Sequence, residues 1–160
     1  MKELKLIQSL FDQQVQFTLS YLSSLQEKHW QTKVHPWDAM FFYKLANNVN
    51  VEVVVKHTLI VEQHFVRSIG TLENGDLISL EGDENICKEH HGGGELVACY
   101  QDVHQENMSK ISNFSQKDLD KKLIFIDQLY SGMGLLWMVV GHHAFHLGQI
   151  RSMSFPQTKE

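Results

Sequence analysis

A helix that crosses a bilayer needs about 20 consecutive apolar residues. This chain has no such run, and its longest apolar stretch, Met133 to Val140, is far too short. The opening Met-Lys-Glu-Leu-Lys-Leu-Ile-Gln mixes charge into a helical pattern and lacks the continuous apolar core of a signal peptide. Basic clusters are missing as well. With 14 Lys+Arg against 19 Asp+Glu and a net charge of −5, the chain offers no electrostatic footprint for nucleic acid. Cysteine is scarce: Cys87 and Cys99 form no disulfide framework. In the cytoplasmic setting that these absences imply, both are expected as free thiols. Proline is equally scarce, and Pro36 and Pro156 each fall just past a helical stretch, where proline ends the helical geometry.

What remains is an ordinary globular composition, 42% hydrophobic and 21% charged over 160 residues, which fits a single domain spanning 1–160 with its own core. From Lys2 to about His29 the apolar residues Leu4, Ile7, Phe11, Val15, Leu19 and Leu22 return at helical spacing. The second segment is ambiguous locally, because Asn48-Val-Asn-Val-Glu-Val alternates like a strand. The helical period nevertheless continues through Val51, Val54, Val55, Thr58, Val61 and Phe65. We therefore predict a helix from about Asn47 to Ile69, stopped by Gly70, with another turn or two over Asp38 to Leu45. Between Thr71 and Gly94 the periodicity stops and turn residues follow one another, as in Glu73-Asn-Gly-Asp, so this is a long surface loop. A third helix runs from Glu95 to about Phe114. Ser115-Gln-Lys-Asp reads as a turn, Lys122 to Ile126 as a short extended piece, and Ser131 to Ser154 as a last helix capped by the Ser131 hydroxyl. The fold class expected is all-α, a four-helix bundle with a long loop between helices 2 and 3.

The surplus in this sequence is histidine, with ten residues. His142 and His146, four apart on the last helix, lie one turn apart on one face, within reach of a single metal ion. Chance alone gives roughly 0.6 such pairs in a chain with this composition, so the context must carry the reading. Extended backward, their face meets Val139, Met138 and Leu135, which turns both imidazoles toward a core. Buried imidazoles need hydrogen-bond partners or a metal; satisfied core histidines are the competing reading. His57, in the middle of the second helix and on an apolar face, is a candidate inward ligand. His64 lies two turns further on, ~10.5 Å along the axis, too far to join the same ion. His29 and His35 read as solvated loop residues, and His104 has no evident partner. Cys87, His90 and His91 are ligand types at close spacing, but a glycine-rich loop gives them no scaffold, and a flexible turn is the simpler reading.

Two of these stretches, His57-Thr-Leu-Ile-Val-Glu62 and His142-His-Ala-Phe-His-Leu-Gly-Gln149, resemble the marks of the DinB/YfiT-like metal-binding four-helix bundles. Helix order and length extend the resemblance over nearly the whole chain. It implies that His57, His142 and His146 are the ligands of one divalent transition metal, zinc first and nickel as the alternative. It further implies that Gln149 stands behind His146 and that Gly148 permits a close helix approach. Leu147 departs from the basic residue common at that position, which weakens any case for an anionic substrate. His143, rotated ~100° from His142, is expected as a neighbour and not a ligand. Glu62, turned ~140° from His57, is expected in a structural salt bridge. Other metal-site patterns do not fit: His143 stands where a zinc-protease helix needs glutamate, and Glu-x-x-His pairs of the di-iron type are missing.

Three histidines leave a further coordination position for a thiol or water. The similar family includes enzymes that attach a small cellular thiol to an electrophile. The resemblance therefore implies a metal-dependent thiol transferase acting on a small molecule, with a metal-dependent hydrolase or a non-catalytic stress-linked module with a structural metal as alternatives. No catalytic acid or base can be named from the sequence. A homodimer is expected from the family's habit and from apolar residues on several faces. Nucleic-acid and membrane partners are not expected.

Overall fold

Serine and asparagine, more than glycine or proline, mark where the helices begin and break. In the computed structural model, which describes residues 2–33, 49–79 and 87–154, the first helix α1 (Lys2–Ser23) ends earlier than its apolar period suggests. There Ser23 Oγ donates to the Leu19 carbonyl and Ser24 Oγ to that of Tyr21, so hydroxyls take up the last carbonyls of the helix. The chain resumes as a single turn, α2 (Glu27–Trp30), which buries Trp30 completely. His29 belongs to this turn and is half-buried, not a solvated loop residue. The expected turns over Asp38 to Leu45, and His35, lie outside the described residues.

Helix α3 (Val51–Thr71) starts four residues later than predicted. Asn50 adopts extended backbone and its side chain accepts from the Val53 amide at 2.9 Å, an N-cap that fixes the start. The strand-like alternation before it survives as one bridge, Lys33 to Asn50. Helix α4 (Gly93–Ser112) follows the long loop. Ser115-Gln-Lys-Asp is not a turn but the capping box of a short helix, α5 (Gln116–Asp120), with Ser115 and Asp118 satisfying each other's amides. A hairpin of β1 (Lys122–Phe125) and β2 (Gln128–Ser131) leads into α6 (Gly132–Ser154). The loop after α3 adds a parallel bridge from Leu77 to Ile124. Lys121 Nζ ties this region to α3 by donating to the carbonyls of Ile69 and Leu72, at its C-terminal end. Ser131 Oγ accepts from the Gly134 amide at 3.0 Å, as its capping role requires. Gly132 is needed for close approach, since a Cβ there would collide with the Asp118 carbonyl.

The four long helices form a bundle. Packing runs from α1 to α4, α4 to α3, α3 to α6 and α6 back to α1, a closed ring in which the sequence neighbours α1 and α3 stand at opposite corners. Each helix turns an apolar stripe inward, for example Ile7, Phe11 and Val15 on α1 and Val54, Val55 and Leu59 on α3. Each such side chain contributes roughly 1.5–3 kcal/mol of burial free energy. Because α3 and α6 are ring neighbours, residues of the second long helix can meet those of the last. Among the described residues no helix is long and apolar enough to cross a membrane.

Candidate metal centre

Helical spacing puts His142 and His146 on successive turns of one α6 face, and ring packing lays His57 of α3 against them. His142 Nε2 stands 3.2 Å from His57 Nε2 and 3.0 Å from His146 Nε2. The three residues together could hold a metal ion. A tetrahedral ion with Zn–N bonds of about 2.05 Å separates its ligand nitrogens by about 3.3 Å, so the observed spacings need little change. The remaining atoms fit as well. Gln149 Oε1 lies 2.6 Å from His146 Nδ1, and by accepting from that N–H it leaves the His146 Nε2 lone pair facing the cluster. His142 Nδ1 is buried with no hydrogen-bond partner among the described residues.

Burial depresses the basicity of all three rings. His142 falls to about 3, first through burial and then through His146, His57 and His143. His146 falls to about 4 through burial and His57, against the opposing bond from Gln149. Burial also lowers His57. All three are therefore held neutral near pH 7, the form that donates a lone pair to a metal. The cluster opens into a cavity of about 410 Å³ lined by His57, His142, Phe145 and His146. Phe145 is 48% exposed and stacks edge-on against His146 at the cavity wall.

The other candidates fall elsewhere. His64 is buried and meets Arg67 Nη2 at 3.3 Å, apart from the cluster. His143 faces away from the three rings. Its Nδ1 lies 2.5 Å from Glu62 Oε1 and 3.0 Å from the Tyr100 hydroxyl, and its Nε2 lies 2.8 Å from Thr18 Oγ1. Glu62, fully buried, thus has the structural partner expected of it and also accepts from the Tyr100 hydroxyl. Burial, then the Glu62 charge, raises the Tyr100 pKa well above its ordinary value and keeps the phenol a donor. Gly148 mediates no close approach among the described residues, none of which lies within 4 Å of where its Cβ would stand. His104, for which the sequence offers no evident partner, is buried, and Asp12 on the neighbouring α1 accepts from its Nε2 at 3.0 Å.

Cys87 and Cys99 are not free thiols but are joined in a disulfide, their Cα atoms 6.2 Å apart. Compartment and spacing alone point to reduced thiols, whereas the pairing arises from α4 carrying Cys99 back over the loop, a tertiary feature. His90 lies beside them, so the ligand types on this loop do have a scaffold, with Cys99 in the place expected of His91. His91 is exposed and reaches Glu52 at 3.4 Å.

No family model matches the chain, and no curated protein sequence matches it. Among solved structures, it is similar to the crystal structure of a DinB-like protein, YjoA, from Bacillus subtilis. The TM-score is 0.65 at 16% identity, over 96% of this chain and 95% of that one. At this identity the likeness establishes a DinB-like fold.

Proposed function

We propose, from a DinB-like fold that carries three converging imidazoles, that this chain is a metal-dependent enzyme of the thiol-transferase type. In this reading His57, His142 and His146 hold one divalent transition metal, zinc first and nickel as the alternative. The observation that carries it is the meeting of three Nε2 atoms, from two helices, at the wall of a cavity large enough for a small molecule. A divalent ion there supplies Lewis-acid character, favouring the nucleophilic thiolate form of a low-molecular-weight thiol. The chain's own contributions are orientation and surroundings: Gln149 fixes the His146 ring, burial keeps the imidazoles neutral, and Phe145 offers an apolar wall for the electrophile.

No carboxylate lines this cavity among the described residues, and Glu62 is engaged by His143 and Tyr100. No catalytic acid or base is therefore assigned beside the three imidazoles. The same observation supports a second reading, in which the ion staples α3 to α6 and the protein is a non-catalytic binding module. We place the protein in the cytoplasm, as a single domain over 1–160, acting as a homodimer. The exposed Leu6 and Phe17 of α1 and Trp137 and Phe145 of the adjacent α6 fit a second copy. Turnover of a small thiol with an activated aryl halide tests the proposal. Metal-dependent turnover that His57→Ala abolishes supports the transferase, whereas metal binding without turnover across a panel of electrophiles favours the staple.

A further inference from the structure

The Cys87–Cys99 pair belongs to a separate cluster of ligand residues from the three imidazoles, and its surroundings are not those of a simple cross-link. Cys87 and His90 sit on one turn, closed by the His90 amide donating to the Cys87 carbonyl at 3.1 Å. The two-residue gap between them suits two ligands of one ion. Cys99 comes from α4, so the trio joins a loop to a helix. The sulfurs and a ring nitrogen of His90 all lie within 4.8 Å of one another. His90 Nδ1 is buried with no hydrogen-bond partner among the described residues, although a disulfide needs no imidazole beside it. His90 and Cys99 also line a cavity of about 540 Å³ whose wall carries Glu89, Glu95 and Asp102, a negative surround that favours a cation.

We propose that Cys87, His90 and Cys99 form a second metal site, specific for a soft or borderline divalent ion such as zinc, which the chain offers when its disulfide is reduced. The Cα separation of 6.2 Å serves both states. Two thiolates on one zinc stand about 3.8 Å apart, which side-chain rotation supplies without moving the backbone far. A dithiol reduces the Cys87–Cys99 bond and is itself oxidised to a disulfide, leaving two protein thiols. Binding the ion then releases their two protons. In reverse, one thiolate attacks a low-molecular-weight disulfide, forming a mixed disulfide and expelling one thiolate. The second protein thiolate attacks the mixed disulfide, restores the Cys87–Cys99 bond and expels the other thiolate. The ion, having lost both sulfur ligands, leaves for solvent. A water or one of the cavity carboxylates completes the reduced site.

The test is cobalt(II) titration of the full chain, as the disulfide and after reduction by a dithiol that is then removed without air. The reduced chain should bind one more cobalt than the oxidised chain and show thiolate-to-cobalt charge-transfer absorption in the near ultraviolet, which an all-imidazole site cannot give. His142→Ala should leave that absorption in place, since the two sites are independent. His90→Ala, a change at a half-buried residue, removes a ligand and should weaken cobalt binding at the thiolate site by more than the roughly 10–100-fold that loss of a ligand's outer partner costs. An oxidised low-molecular-weight disulfide should release the extra ion to a chromophoric chelator. Equal stoichiometry in both redox states, no charge-transfer band, a band unaffected by His90→Ala, or loss of the helical spectrum on reduction would each overturn the proposal.

Discussion

His142 and His143 are neighbours in sequence, ~100° apart around one helix, and they end in opposite chemical situations. His143 looks into the middle of the bundle, where Glu62 of α3, Tyr100 of α4 and Thr18 of α1 meet both its ring nitrogens. His142 looks toward α3, where its Nε2 meets only other imidazoles and its Nδ1 meets nothing among the described residues. His143 is fully buried and His142 only partly so at the cavity wall, but His146 of the cluster is as buried as His143, so burial alone does not separate a structural histidine from a ligand. What separates them is the identity of the partners. A ring that faces a carboxylate, a phenol and a hydroxyl is already satisfied, whereas rings that face one another with depressed basicity leave lone pairs for an ion.

The largest effect should come from breaking the satisfied side. Glu62→Ala leaves a buried imidazole and a buried phenol without their acceptor, and should destabilise the fold by about 3–5 kcal/mol. Thermal unfolding should report this as a fall of the melting temperature by about 6–20 °C, while zinc stoichiometry by elemental analysis of the folded variant stays that of the parent chain. A variant that loses zinc but keeps its melting temperature would contradict the division of roles.

Breaking the other side should reverse the pattern. At zinc concentrations a thousandfold above its dissociation constant, the folded state gains about 4 kcal/mol, or about 8–16 °C in melting temperature. A chelator should remove that gain, and it should vanish in His142→Ala with the disulfide intact. A triad variant that keeps its zinc stabilisation would place the ion elsewhere. Gln149→Ala, which frees the His146 ring to turn, should weaken zinc binding by about 10–100-fold without abolishing it. Competition against a chelating dye would measure this. The smallest change is expected for His64→Ala. Its ring lies on α3 but outside the cluster, so zinc affinity should move by less than about threefold, within the scatter of mutations that touch no ligand or its support.

The limits of sequence reading show in these same residues. That His142 and His146 share a face, and that His143 does not, follows from 3.6 residues per turn. That Ser131 caps α6 follows from the local reach of a hydroxyl to an amide two or three residues on. The Asn50 cap and the Ser115/Asp118 capping box are equally local and were legible in principle. The strand-like alternation near Asn50 and the turn-like composition at Ser115 hid them.

By itself, then, the sequence determined what is periodic or local: four long apolar stripes, their approximate limits, the four-helix class, and the pairing of two histidines on one of those stripes. Only the tertiary structure decided which stripe faces which. The ring order α1–α4–α3–α6 brings His57 to His142 across 85 residues, Glu62 to His143 across 81 and Asp12 to His104 across 92. It also folds α4 back so that Cys99 reaches Cys87. The physical reason is that hydrophobic burial rewards any neighbour of suitable shape, so an apolar stripe marks an inward face without naming its partner. The polar contacts that define the two histidine environments exist only after that choice is made.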